Sequence, residues 1–296
     1  MVHIMGVKMM LNKLFVDRYN EVRPAWKLVT VIMLYIMLNL VLGFGLQLRP
    51  LSQSLLSALA PYIGEAAFVL SVYIILKLVE EKRSRDIGLI PIQYGLKDLG
   101  IGLLYGAVSM IVIFAALALT GRISLGNPLW HPAFSHYLLT GLLLFIAVGI
   151  AEEFFFRGYL IDVFSRPGKP GLGVIISSVL FAFAHAFNPN VAVLGLINIF
   201  IVGLLLAYMY VKTGNLWMPI GFHIAWNYFQ GNVFGFPVSG TSPHGLYNID
   251  DFNGTLWSGG SFGPEAGLAA TVVLLVLFFA VWKLPGDRRN RQRSAM

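Results

Sequence analysis

Residues 28–48 read LVTVIMLYIMLNLVLGFGLQL, an unbroken apolar run with no charged residue and no proline. A ~30 Å hydrocarbon layer needs about 20 mostly apolar residues in a helix, so this stretch alone predicts a transmembrane span. Leu99 to Leu119 and Val191 to Val211 meet the same test without a charge. Ala58 to Leu78, Tyr137 to Phe164, Leu216 to Phe236 and Ala266 to Leu284 meet it with a few polar interruptions. Leu172 to Phe187 is a shorter apolar run bounded by Gly171 and Pro189. None of the runs shows the period-two alternation of barrel strands. The expected fold is all-α, a polytopic membrane helical bundle of about eight transmembrane helices.

Composition agrees. Of 296 residues, 57% are hydrophobic and 12% charged, against about a quarter charged in soluble domains. A soluble enzyme is therefore excluded. The absence of cysteine removes disulfides, thiolate nucleophiles and cysteine metal sites. The net charge of +7 is a matter of topology. Lys8 to Lys27, Lys77 to Lys97, Arg166 with Lys169, Lys212, and Lys283 to Arg293 hold 18 of the 21 basic residues on one set of connections. The opposite side keeps Arg49 and Arg122. The positive-inside rule then puts both termini in the cytoplasm of an integral, multi-pass cell-membrane protein, and nucleic acid drops out as a partner.

Three segments follow: a cytoplasmic basic N-terminal segment over 1–27, a transmembrane domain over 28–284, and a cytoplasmic basic tail over 285–296. The first reads as an interfacial amphipathic segment or a flexible tail. The last reads as a topology anchor facing anionic membrane lipid. An outer loop from Gly235 to Glu265 has no Lys or Arg and is rich in Gly, Pro and aromatics. It reads either as a partial lid or as a surface loop.

Ionisable groups at membrane depth are expensive and mark a site or a paired network. Here they are Glu65, Glu152, Glu153, Arg157, Asp162, His185 and His223. Glu65 follows Pro61 and Gly64 and reads as interfacial, and Asp162 is expected to pair with Arg166. The connection Arg166 to Gly171 holds two prolines and two glycines, so the flanking helices are expected to be antiparallel neighbours. Glu152 and His185 are about equally far from that turn and come to the same depth, roughly 20 Å from it. Glu153 and Arg157 are four apart and share a helix face. Their pairing leaves Glu152 without an opposite charge of its own, which suits a general base. His223 and Asn227, after Pro219, project from one helix face a turn apart and offer polar groups to a developing oxyanion. The bland reading of each group is helix–helix hydrogen bonding, and Asn198, isolated in an apolar span, is read that way.

Glu152-Glu153-xxx-Arg157, Phe181-xxx-His185 and His223-xxx-Asn227, in that order on successive apolar segments, resemble the three-motif signature of the CPBP family of CAAX prenyl protease and bacteriocin-processing (ABI-type) intramembrane proteases. The motif core spans 137–230, and the helix count is similar to that of type II CAAX endopeptidases. The resemblance implies an intramembrane endopeptidase. In it Glu152 and His185 activate water, His223 and Asn227 stabilise the oxyanion, and Glu153 and Arg157 support them. It implies a membrane-associated peptide or lipidated protein as substrate, with prenylated CAAX proteins typical of eukaryotic members. Prokaryotic relatives are linked to peptide maturation, bacteriocin immunity and membrane anchoring.

Two rival readings stand beside it. A transporter or channel also uses buried ionisable groups, although here they cluster in the C-terminal half without a counterpart in the first. A non-catalytic immunity or scaffold protein would keep the cluster for stability. The family is often labelled metalloprotease, and Glu152, His185 and His223 have the donor types of an open zinc site. A metal-free Glu/His pair is the preferred reading.

Overall fold

A computed structural model describes residues 15–16, 21–165, 170–241, 244–252 and 255–285. Most of the basic N-terminal segment, the connection from Arg166 to Lys169 and nearly all of the basic tail lie outside the described residues. The chain divides into two compact units, Met1–Glu81 and Lys82–Met296.

The first unit is a helical hairpin of α1 (Pro24–Gln47) and α2 (Gln53–Leu78). Pro24 occupies the first turn of α1, where a missing N–H costs nothing. Ser52 caps α2 by accepting from Leu55 N–H at 3.3 Å. Met33, Leu40, Val41 and Phe44 on α1 are exposed, as expected of a helix solvated by lipid. Because α2 starts at Gln53 and runs through Pro61, Glu65 sits near mid-helix, about 18 Å from its start. The helix thus begins five residues before the span Ala58 to Leu78 expected from the sequence, and Glu65 lies farther from that end.

The second unit comprises α3 (Ile92–Leu119), α4 (Tyr137–Phe164), α5 (Pro170–His185), α6 (Val193–Thr213), α7 (Trp217–Tyr228) and α8 (Leu268–Lys283). Two short strands, β1 (Ile123–Leu125) and β2 (Ile249–Phe252), pair antiparallel. Among the described residues, α1, α2, α4, α6 and the stretch Ser84–Leu119 containing α3 are long and apolar enough to cross a membrane. The multi-pass, all-helical reading holds. The other three expected spans are shorter, α5 and α8 having 16 residues and α7 having 12, followed directly by the 5-residue π-helical turn Phe229–Val233. Sixteen residues reach ~24 Å, short of the full hydrocarbon thickness.

The short α7 is the centre of the unit. Every residue from Met218 to Asn227 is buried, the mark of a helix enclosed on all sides. Its approach to α3 is set by glycines. A Cβ on Gly102 would overlap the Met218 carbonyl oxygen, one on Gly106 the Phe222 carbonyl oxygen, and one on Gly221 the Leu99 carbonyl oxygen. Small residues let the two backbones meet, the usual route to helix association where lipid leaves no hydrophobic drive. The start of α7 is fixed by Asn215, whose Nδ2 donates to Asp98 Oδ2 at 2.8 Å and whose Oδ1 accepts from Trp217 N–H at 3.0 Å. Asp98 is buried within α3, which begins seven residues before the expected span.

Gly102→Val should accordingly deplete folded protein. Overpacking costs about 1–3 kcal/mol, and here the obstacle is backbone that cannot swing aside. Size-exclusion profiles in detergent at matched expression check this, and a monodisperse Gly102→Val peak at wild-type yield would refute it.

Asn198 ties α6 to the start of α8. It donates to Glu265 O at 2.8 Å and Gly267 O at 3.1 Å, and accepts from Thr271 Oγ1 at 2.8 Å. The interhelical reading of Asn198 is what the structure has. The described part of the outer loop packs on the unit rather than merely lying on its surface. Phe236 and Phe262 are buried, and β2 pairs with β1.

Candidate intramembrane active site

α4 changes its winding where the acidic pair begins. Glu153–Leu160 is π-helical, inside an otherwise α-helical span. Such wide turns are rare and concentrate at functional sites, because each one weakens the helix unless neighbours compensate. One compensation is visible: the buried Ser177 hydroxyl on α5 donates to the Phe156 carbonyl at 2.5 Å.

α5 runs antiparallel against this segment. A Cβ on Gly173 would press on the Ile161 carbonyl, Ser177 meets Phe156, and the Phe181 ring packs edge-on against Phe156 at 5.0 Å. Continuing these steps along both helices brings His185 toward the level of Glu152. The hairpin expected from the Pro/Gly connection is therefore present. Asp162 near its closed end pairs with Lys82, whereas Arg166, its expected partner, lies outside the described residues.

Glu153 is the hub of the cluster. Its Oε1 accepts from Arg157 Nη1 at 2.8 Å and from His223 Nδ1 at 2.8 Å. Both Glu153 and Arg157 are 0% exposed. The sequence assigned Glu153 to Arg157 alone, and the bond to His223 comes from the packing of α7 on α4. A carboxylate on Nδ1 fixes the orientation of the imidazole and aims Nε2 away from the bond. That Nε2 lies 3.8 Å from Glu152 Oε2, too far for a direct hydrogen bond. Glu152 Oε2 has no hydrogen-bond partner among the described residues, and its side chain keeps 21% exposure.

Arg157 also meets an aromatic face, while its Nε and Nη2 have no hydrogen-bond partner among the described residues. Its guanidinium carbon sits 4.1 Å from the centroid of Phe181, within range of a cation–π interaction. The Phe181 ring also lies 4.7 Å from His185 and 6.2 Å from His223, centroid to centroid. Phe181 thus touches three of the polar groups. Its spacing four residues before His185 was the only signal of this in the sequence.

His185 donates from Nδ1 to the Phe181 carbonyl at 2.8 Å, which leaves the lone pair on Nε2. Asn227 is buried one turn beyond His223. Of the six sequence-derived residues, Glu152, Glu153, Arg157 and His223 form one contact network. His185 adjoins it through Phe181, and Asn227 lies beyond it on α7. Among the described residues, no three His, Asp or Glu side chains are grouped so as to hold a metal ion. Glu152, His185 and His223 are thus not arranged as a three-ligand set.

All six residues fall inside one recognisable segment. Residues 132–229 match the Rce1-like family of type II CAAX prenyl endopeptidases. The Rce1-like segment begins just before α4 and ends with α7, so it contains the π turn, the α4–α5 hairpin and the helix carrying His223. In general terms the match supports a CAAX-type membrane protease, a hydrolase. An uncharacterized 24.3 kDa protein of Escherichia coli is 29% identical over 147 residues, covering 47% of this chain and 67% of its own. The uncharacterized protein YyaK of Bacillus subtilis (strain 168) is 36% identical over 98 residues, covering 31% of this chain and 33% of its own. The chain therefore spans about a third of the length of YyaK. No solved structure matches this chain.

Proposed function

We propose that the chain is an intramembrane endopeptidase that hydrolyses a peptide bond in a membrane-associated substrate, a CAAX-like protein or a peptide. Glu152 is the general base. It takes a proton from a water molecule as the oxygen attacks the scissile carbonyl carbon, and later returns that proton to the leaving amine. His185, with its Nε2 lone pair, orients or shares the same water. In its doubly protonated form His223 donates Nδ1–H to Glu153 and turns Nε2–H to the oxyanion, with Asn227 supplying an amide donor. Preorganised donors of this kind act strongly in a site from which bulk water is excluded. Glu153 and Arg157 hold His223 in place. Membrane lipid is the solvent, and both termini face the cytoplasm.

The observation that carries this reading is the division of labour between two adjacent carboxylates. Glu153 is fully enclosed and bonded through Oε1 to Arg157 and His223, while Glu152 makes no ion pair closer than 3.8 Å and keeps 21% side-chain exposure beside His223. Glu153 Oε2 also lacks a hydrogen bond, but only the partly exposed Glu152 side chain is open to a water molecule. No step is routed through a metal.

The test is hydrolysis of a farnesylated CAAX-terminated peptide by the purified chain in micelles, run in ¹⁸O-labelled water. One ¹⁸O atom should enter the new carboxyl terminus, and prior treatment with a chelator should leave cleavage unchanged. Loss of cleavage with chelator, restored by zinc, would overturn the metal-free mechanism. Ion or proton flux in proteoliposomes with no peptide product would favour the transporter.

A further inference from the structure

The outer loop contains a closed turn, Val238-Ser239-Gly240-Thr241. Val238 N–H donates to Thr241 O at 2.7 Å, and Thr241 N–H donates to Val238 O at 2.9 Å. Both central residues have positive φ, 45° at Ser239 and 86° at Gly240, as in a type I′ turn. Gly240 suits that conformation, and its backbone approaches so closely that a Cβ would overlap the Pro189 carbonyl oxygen. Ser239 does not suit it, since a side chain makes the left-handed region strained unless the surroundings hold it there.

Glu265 supplies the hold. Its Oε2 accepts from Ser239 N–H at 2.7 Å and from Ser239 Oγ at 2.9 Å. Glu265 is itself anchored, its carbonyl accepting from Asn198 on α6. The turn so fixed is bonded to both sides of the candidate active site. The Ser239 carbonyl accepts from Asn188 Nδ2 at 3.1 Å, and Asn188 N–H donates to the His185 carbonyl at 3.2 Å. Two residues earlier, the Pro237 carbonyl accepts from Gln230 Nε2 at 2.7 Å. Gln230 is three residues past Asn227, on the π-helical continuation of α7. Three loop residues therefore join the end of α5, which carries His185, to the end of α7, which carries His223 and Asn227.

We propose that Glu265 is a positioning residue: by holding Ser239 in its left-handed conformation it makes Pro237 to Ser239 a fixed strap, which sets the His185 end of α5 against α7. The effect on catalysis rests on the peptidase reading of His185, His223 and Asn227, and the mechanical link does not. Only hydrogen-bond acceptance is asked of Glu265, since both Ser239 donors reach one oxygen. An amide oxygen does the same work, so Glu265→Gln keeps the strap and Glu265→Ala releases it.

The test uses the full chain in detergent micelles, followed by amide hydrogen exchange and by ring-nitrogen NMR of ¹⁵N-labelled histidine. Glu265→Ala and Asn188→Ala should each raise exchange over residues 186–190 by ~10-fold or more, as expected when a local closed state is released. Each should also shift the His185 Nδ1–H signal and leave that of His223 in place, and Glu265→Gln should restore both readouts. On the farnesylated CAAX peptide, Glu265→Ala should lower kcat with KM unchanged, and Glu265→Gln should recover it. If Glu265→Ala fails to fold, Asn188→Ala decides, because it cuts only the link from the strap to α5. Unchanged exchange and an unchanged His185 signal in Asn188→Ala would overturn the strap, as would a Glu265→Gln variant that behaves like the alanine. A wild-type chain that leaves the peptide intact, while exchange and NMR respond as stated, supports the strap and counts against the peptidase reading alone.

Discussion

Glu152→Gln should lower peptide cleavage by about 10²–10⁴-fold, the range that a positioned general base contributes, with folding and membrane insertion near normal. The substitution keeps the size of the side chain and one carbonyl oxygen and removes the group that accepts the proton. Little stability is at stake, since Glu152 Oε2 has no hydrogen-bond partner among the described residues and lies 3.8 Å from His223 Nε2. The measurement follows one identified substrate peptide in membranes holding wild type or variant at matched expression. Unchanged cleavage would end the mechanism proposed above. A transporter would lose flux with no peptide accumulating, and a scaffold would change in neither respect.

The opposite pattern is expected at Arg157. Arg157→Ala removes one partner of a fully buried ion pair, which typically costs about 3–5 kcal/mol because the remaining charge is left without compensation. It also takes the cation from the Phe181 face. Yield and thermal stability in detergent should fall together with activity. The double variant Glu153→Leu with Arg157→Met should recover much of the yield, since replacing both members of a buried pair by apolar groups is often neutral. It should remain inactive, because His223 has then lost the carboxylate on Nδ1. A double variant that folds and cleaves like wild type would show that Glu153 does not position His223.

The two variants separate roles that look alike in the chain, where Glu152 and Glu153 are neighbours. Adjacent residues on a helix point about 100° apart, so one of the two had to be nearer Arg157, and the four-residue spacing identified Glu153. The bond from Glu153 to His223 spans 70 positions, and no spacing rule reaches across it. Phe181 illustrates the same divide. Its place one turn before His185 is local, but the guanidinium on its face comes from another helix.

What the amino-acid sequence determined by itself was everything governed by local length and period: the apolar runs that make the chain a multi-pass membrane protein, the antiparallel pairing of α4 with α5, and the Glu153–Arg157 pair. Hydrocarbon thickness and the 3.6-residue turn act on neighbouring residues and need no knowledge of the rest of the fold. Tertiary structure alone decided that Glu153–Leu160 winds as a π helix, that Asp162 meets Lys82, that Glu65 lies near mid-helix, and that Pro237 to Ser239 spans α5 and α7. A π turn and a left-handed serine are both unfavourable in isolation. They exist here because other segments, Ser177 on the Phe156 carbonyl and Glu265 on Ser239, bring hydrogen bonds that the local chain lacks.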